Sequence, residues 1–168
     1  MRVLGVDPGL TRCGLAIVDE LSGKKVKLET VMVFRTDSEE HVSQRLMKLD
    51  DAINQVIKKF KPDVVAVEQV FSQHNLKSVM GTAQAAGVAY INGAKANCEV
   101  VSYTPTQVKA SVTGSGKADK RQIGRMIAKI CGLSAPLSPP DASDAVALAI
   151  CHLWRTSTEE KIKKRKVS

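Results

Sequence analysis

The segment Asp63-Val64-Val65-Ala66-Val67-Glu68 constrains the fold more than any other part of this chain. Successive side chains of a strand point to opposite faces, so four consecutive apolar residues need cover on both. The segment therefore reads as a central strand between two layers of helix. It also ends on a carboxylate, and a carboxylate closing a doubly buried strand is costly unless something neutralises it.

The rest of the chain supplies the neighbours. Arg2–Val6 reads as a first strand, Gly14–Asp19 as a second, and Lys25–Arg35 as a third after a Ser22-Gly23 turn. Asp37-Ser38-Glu39-Glu40 has the form of a helix start, with Asp37 and Glu40 spaced as a capping box. Val42, Leu46, Leu49, Ile53, Val56, Ile57 and Phe60 then recur at helical spacing until Lys61-Pro62. Leu76 to Ala96 keeps helical periodicity but is dense in glycine and alanine, which permits close approach to another backbone. That neighbour is either its own sheet or a second subunit.

Val100–Tyr103 reads as a fifth strand, and Thr104-Pro105 is a good cap for a short helix to Val112. A Gly114-Ser115-Gly116 loop precedes a helix from about Asp119 to Gly132, and a last helix runs from about Pro139 to Trp154. The expected fold is α/β: a five-stranded mixed sheet, three antiparallel strands then two parallel, with helices on both faces.

Four acids occupy positions of one kind. Asp7 closes the apolar run Val3–Val6, Glu68 closes the central strand, and Asp141 and Asp144 share a face of the last helix's first turn. Strand carboxyl ends face the ligand crevice in α/β sheets. Carboxylates gathered there would repel by about 4 kcal/mol per pair at ~4 Å and an effective dielectric of ~20. Divalent cations relieve that repulsion, and an all-oxygen ligand set favours Mg²⁺ or Mn²⁺. Each acid also has an ordinary use: Asp7-Pro8-Gly9 as a turn, Asp141 and Asp144 as acids at a helix N-terminus.

Charge indicates the partner. The 168 residues carry a formal net charge of +8, and half of it lies in residues 155–168. A polyanion such as nucleic acid fits that balance. No apolar stretch is long enough to span a membrane and no secretory leader is evident, so a cytoplasmic location is expected. Cys13, Cys98, Cys131 and Cys151 show no metal or disulfide spacing and read as reduced, small apolar residues.

Five blocks together resemble the RuvC-type Holliday junction resolvases. They are Gly5-Val6-Asp7-Pro8-Gly9-Leu10-Thr11-Arg12-Cys13-Gly14, Ala66-Val67-Glu68-Gln69-Val70-Phe71, Gln107-Val108-Lys109, Gly114-Ser115-Gly116-Lys117-Ala118-Asp119-Lys120, and Asp141 through Ala149. The resemblance implies a ribonuclease-H-like fold and spans a nuclease domain over residues 1–155; residues 156–168, outside the shared motifs, are expected to be a basic, flexible tail. It implies a homodimer that nicks two strands of a four-way DNA junction symmetrically, leaving 5′-phosphate and 3′-hydroxyl ends. Two Mg²⁺ ions per subunit, replaceable by Mn²⁺, would be held by Asp7, Glu68, Asp141 and Asp144. The family often carries histidine where this chain has Asp141. Lys109 and Lys120 correspond to basic residues near the scissile phosphate, and Phe71 to an aromatic that stacks on junction bases. Arg12, His74, Lys117 and Arg121 are further candidates for DNA contact. A RuvA-RuvB branch-migration complex is the implied partner.

Two other readings bear comparison. The Asp-x-Gly-x-Thr core of residues 7–11 also occurs in actin-like ATPases and sugar kinases, but 168 residues leave no room for their second domain. A non-catalytic junction-binding module would gain nothing from four clustered carboxylates.

Overall fold

The computed structural model describes residues 1–69 and 76–167, with side chains described to 69 and from 79 to 157. Strands β1 (Arg2–Asp7), β2 (Arg12–Glu20), β3 (Val26–Arg35), β4 (Val64–Glu68) and β5 (Glu99–Tyr103) form one sheet in the order β3-β2-β1-β4-β5. β1–β2 and β2–β3 are antiparallel, while β1–β4 and β4–β5 are parallel. The expected five-stranded mixed sheet is therefore present, with the doubly apolar segment one strand from its centre.

Helices cover both faces. Helix α1 (Val42–Phe60) and α2 (Leu76–Lys95) bury one layer against Leu4, Val6, Leu15, Ile17, Val65 and Val67. Helices α3 (Pro105–Thr113), α4 (Lys120–Cys131) and α5 (Pro140–Val167) cover the other, against Val3, Ala16, Val18, Val64 and Ala66. The two-residue period of the strands sorts these sets without exception. It also fixes the acids. Asp7 continues the parity of Val3 and Gly5, and Glu68 that of Val64 and Ala66, so both fall on the α5 face.

Helix α5 is the central piece of that face. From Ala145 to Cys151 every side chain is fully buried, because α3 and α4 cover the side turned away from the sheet. Its seat on the sheet is made of glycine. A Cβ at Gly5 would collide with the Ala145 carbonyl oxygen, and one at Gly14 with that of Asp141. The helix backbone rests directly on β1 and β2, which side chains of ordinary size would prevent.

Several boundaries differ from expectation. Asp37 and Glu40 form no capping box; the Asp37 carboxylate accepts instead from the Glu39 amide, making a local turn. α1 starts later, at Val42, where the His41 side chain accepts from the Ser43 amide. A helix begun at Asp37 would lose the connection from the end of β3, where the Thr36 hydroxyl donates to the Leu10 carbonyl. The capping boxes at Thr104/Gln107 and Asp119/Gln122 do form. α5 runs to Val167, well past Trp154.

Gly5→Ala is expected to lower unfolding free energy by about 3 kcal/mol in urea titrations, as overpacking against backbone does. Gly87→Ala in α2, where a Cβ meets nothing within 4 Å, should be neutral or slightly stabilising. Equal effects at the two sites would refute the close seating of α5.

Candidate active site

Asp7, Glu68, Asp141 and Asp144 line a single cavity of about 870 Å³ together with Arg12, Lys109 and Lys120. The sheet positions the first two. Val6 pairs with Val67 across β1 and β4, so the acids that follow them end adjacent parallel strands on one face. Asp7 also lies opposite Gly14 in β2, the residue on which the first turn of α5 rests. That contact carries Asp141 and, one helical turn on, Asp144 to the same edge.

The electrostatics follow from this crowding. Burial pushes the Asp7 carboxyl up to about 8, and Glu68, Asp144 and Asp141 add to the rise. Glu68 is raised to about 7, first by burial and then by Asp144, while Lys120 and Lys109 oppose the shift. Two side chains of opposite sign stand against the helix acids. Lys120 donates to Asp144 at 3.1 Å, and the Arg12 guanidinium lies 3.3 Å from Asp141. For Lys120, burial is the largest influence and lowers its pKa, but Asp144, Asp7 and Asp141 together raise it.

Among the described residues, no three carboxylate, histidine or thiol groups are gathered as a preformed metal cluster. Lys120 and Arg12 hold two of the four acids. The donor set nevertheless suits a hard divalent cation. It is all oxygen, burial and then neighbouring carboxylates raise the pKa of its two strand acids, and among the described residues Asp141 Oδ2 is buried with no hydrogen-bond partner despite Arg12 nearby.

The other candidates divide. Lys109 lines the cavity from α3. Lys117 lies in a separate groove with Ser115, Arg125 and Lys129. Arg121 is exposed at the start of α4 and close enough to Asp119 to lower its pKa, after the Gln122 backbone and against burial. Phe71 and His74 lie outside the described residues. Reading the sequence missed Arg45, which also lines the cavity and is 8% exposed. The signal was present: position 45 falls three residues after Val42 and four before Leu49, on the apolar stripe itself.

The five-stranded sheet, with acids ending β1 and β4 and opening the last helix, is a ribonuclease-H-like arrangement. A family model described as crossover junction endodeoxyribonuclease RuvC matches residues 3–152. The RuvC of Salinispora arenicola is 51% identical over 162 residues, covering 96% of this chain and 93% of its own length. The Streptomyces avermitilis RuvC is 48% identical over the same length, covering 96% and 92%. The solved structure of Thermus thermophilus RuvC in complex with a Holliday junction substrate superposes with a TM-score of 0.89 at 30% identity, covering 95% of this chain and 96% of that one. The chain belongs to the RuvC family of crossover junction endodeoxyribonucleases.

The raised pKa values have a measurable consequence. Between the unfolded carboxylate range near pH 4 and the folded values near 7–8, the folded state binds more protons, so stability falls as pH rises. In EDTA, Asp7→Asn is expected to raise Tm relative to the parent at pH 8 and to change it little at pH 5. Mg²⁺ should raise the parent's Tm more at pH 8 than at pH 5. The reverse order in either comparison would contradict a shared, repelling carboxylate site.

Proposed function

We propose that this chain resolves four-way DNA junctions by hydrolysing one phosphodiester in each of two strands of like polarity. The observation that carries the reading is the convergence of four carboxylates and two lysines on one cavity of a chain in this family. The relative whose structure includes a Holliday junction substrate supports the same substrate class here.

In this reading Asp7, Glu68, Asp141 and Asp144 hold two Mg²⁺ ions, with Mn²⁺ an acceptable substitute. When bound, the ions supply activation of water and Lewis-acid relief of charge on the leaving oxygen. Water adds to phosphorus, the bond to the 3′ oxygen breaks, and 5′-phosphate and 3′-hydroxyl ends result. Asp7 and Glu68 must give up their protons to serve as ligands, so metal affinity should rise with pH. Lys120 and Lys109 bear positive charge toward the oxygens on which negative charge grows. Lys120 donates to Asp144 at 3.1 Å, and would be free for that role were Asp144 a metal ligand. Arg12 orients Asp141, with Lys117 and Arg121 meeting phosphates outside the cavity. Phe71 and His74, three and six residues beyond Glu68 in sequence, are proposed to meet junction bases and phosphate.

Two coordinated cuts call for two sites, and a C₂ dimer matches the junction's symmetry. The small residues Ala85, Ala86 and Ala89 pack on the sheet of their own subunit. The interface is then assigned to the other side of α2, where Met80, Tyr90 and Ile91 are exposed. The RuvA-RuvB complex is the proposed partner in the cell, the basic tail a solvated end of the nuclease domain, and the cytoplasm its location. No described helix is long and apolar enough to cross a membrane.

Incubation with a synthetic four-way junction and Mg²⁺ should yield paired nicks, with linear duplex left intact. Asp7→Asn should bind the junction and leave it uncut, and Lys120→Ala should slow cutting by about 10²–10³-fold. Phe71→Ala should reduce cleavage more than binding. A parent protein that binds the junction under these conditions and never nicks it would sink the reading.

A further inference from the structure

Arg45 is a buried cation that no carboxylate among the described residues pairs with. It projects from the first turns of α1 and lines the wall of the acidic cavity beside Thr11, Arg12 and Val42. Its Nε donates to the Thr36 hydroxyl at 2.9 Å and one terminal nitrogen to the Thr11 hydroxyl at 2.7 Å. Both acceptors are neutral, and no carboxylate among the described residues pairs with it. The charges that shift Asp7 and Glu68 are other carboxylates and lysines, with Arg45 not among them. The first turn of α1 carries no acid either, so the helix's positive end adds to the same potential.

A guanidinium that is 8% exposed and uncompensated is costly unless its charge has a use. If α1 needed only a link to the Leu10–Arg12 loop, a neutral side chain could hold the two hydroxyls without that cost. The remaining N–H groups form a planar fork suited to a phosphate.

We infer that Arg45, oriented by Thr11 and Thr36, binds a non-bridging oxygen pair of one phosphate flanking the scissile bond. The inference rests on the junction-cleavage reading. It adds an anchor on the α1 wall of the cavity, beyond the positions that the family blocks carry. The threonines fix the fork on one edge and leave the other to the DNA strand, so the strand is held from a wall that bears none of the four acids.

The test pairs Arg45→Gln and Arg45→Lys with junctions in which each phosphate near the cut is replaced singly by a neutral methylphosphonate. Binding and single-turnover cleavage are measured in Mg²⁺, with the parent on the unmodified junction as control. The parent should lose at least about tenfold in affinity at one flanking position, and Arg45→Gln should lose nothing further there. Arg45→Gln should also lower the slope of log affinity against log salt by about one phosphate's worth, ~0.9. Arg45→Lys, which keeps charge but not the fork, should restore the salt slope and only part of the affinity. Additive losses at every phosphate with an unchanged salt slope would overturn the inference, as would failure of both variants to fold, since Arg45 would then be a structural tie alone. If the parent does not cut the unmodified junction, it is the junction-cleavage reading that fails.

Discussion

The seating of α5 on glycine is the constraint on which the rest depends. Gly5 and Gly14 lack the Cβ atoms that would strike the carbonyls of Ala145 and Asp141, so the helix backbone lies against β1 and β2. Ala145 and Ala149 lie at that contact while the apolar residues of α3 and α4 close over the outer side of the helix. The same contact does two tasks. It builds the larger of the two core layers, and it brings the first turn of α5 to the sheet edge where Asp7 and Glu68 end their strands.

That arrangement stores electrostatic tension. Burial and neighbouring acids raise the Asp7 carboxyl to about 8 and that of Glu68 to about 7, and Lys120 and Arg12 supply part of the counter-charge at Asp144 and Asp141. A divalent cation can relieve the tension better than either side chain, because it approaches several carboxylates at once. The acids are thus held by the fold rather than by one another. Packing on the α5 face supplies the energy that their mutual repulsion opposes.

Much of this was legible in the residues. Val64–Val67 required two helical layers, the antiparallel opening and parallel close followed from turn lengths and alternation, and strand parity carried Asp7 and Glu68 to one face. Other features were not legible for identifiable reasons. The capping-box spacing of Asp37 and Glu40 competed with a local turn and with the Thr36 bond to Leu10, both set by tertiary contacts that a local pattern omits. Arg45 lay on an apolar stripe and was passed over, because a stripe is read for its apolar members. Lys117 shares a loop with Lys120, yet the two side chains serve different cavities, a division that depends on where α4 begins. Gly5 and Gly14 were visible as letters of a family block, but their role as the seat of α5 needs the third dimension.

The contact between Gly14 and the first turn of α5 brings the four acids of the proposed cation site to one edge. Calorimetric titration of Mn²⁺ into Gly14→Ala tests it most directly, because that change touches no acid side chain. The variant is expected to remain folded, since only the helix's first turn need move, and to bind Mn²⁺ at least about tenfold more weakly than the parent. A folded Gly14→Ala protein with the parent's Mn²⁺ affinity would contradict the claim.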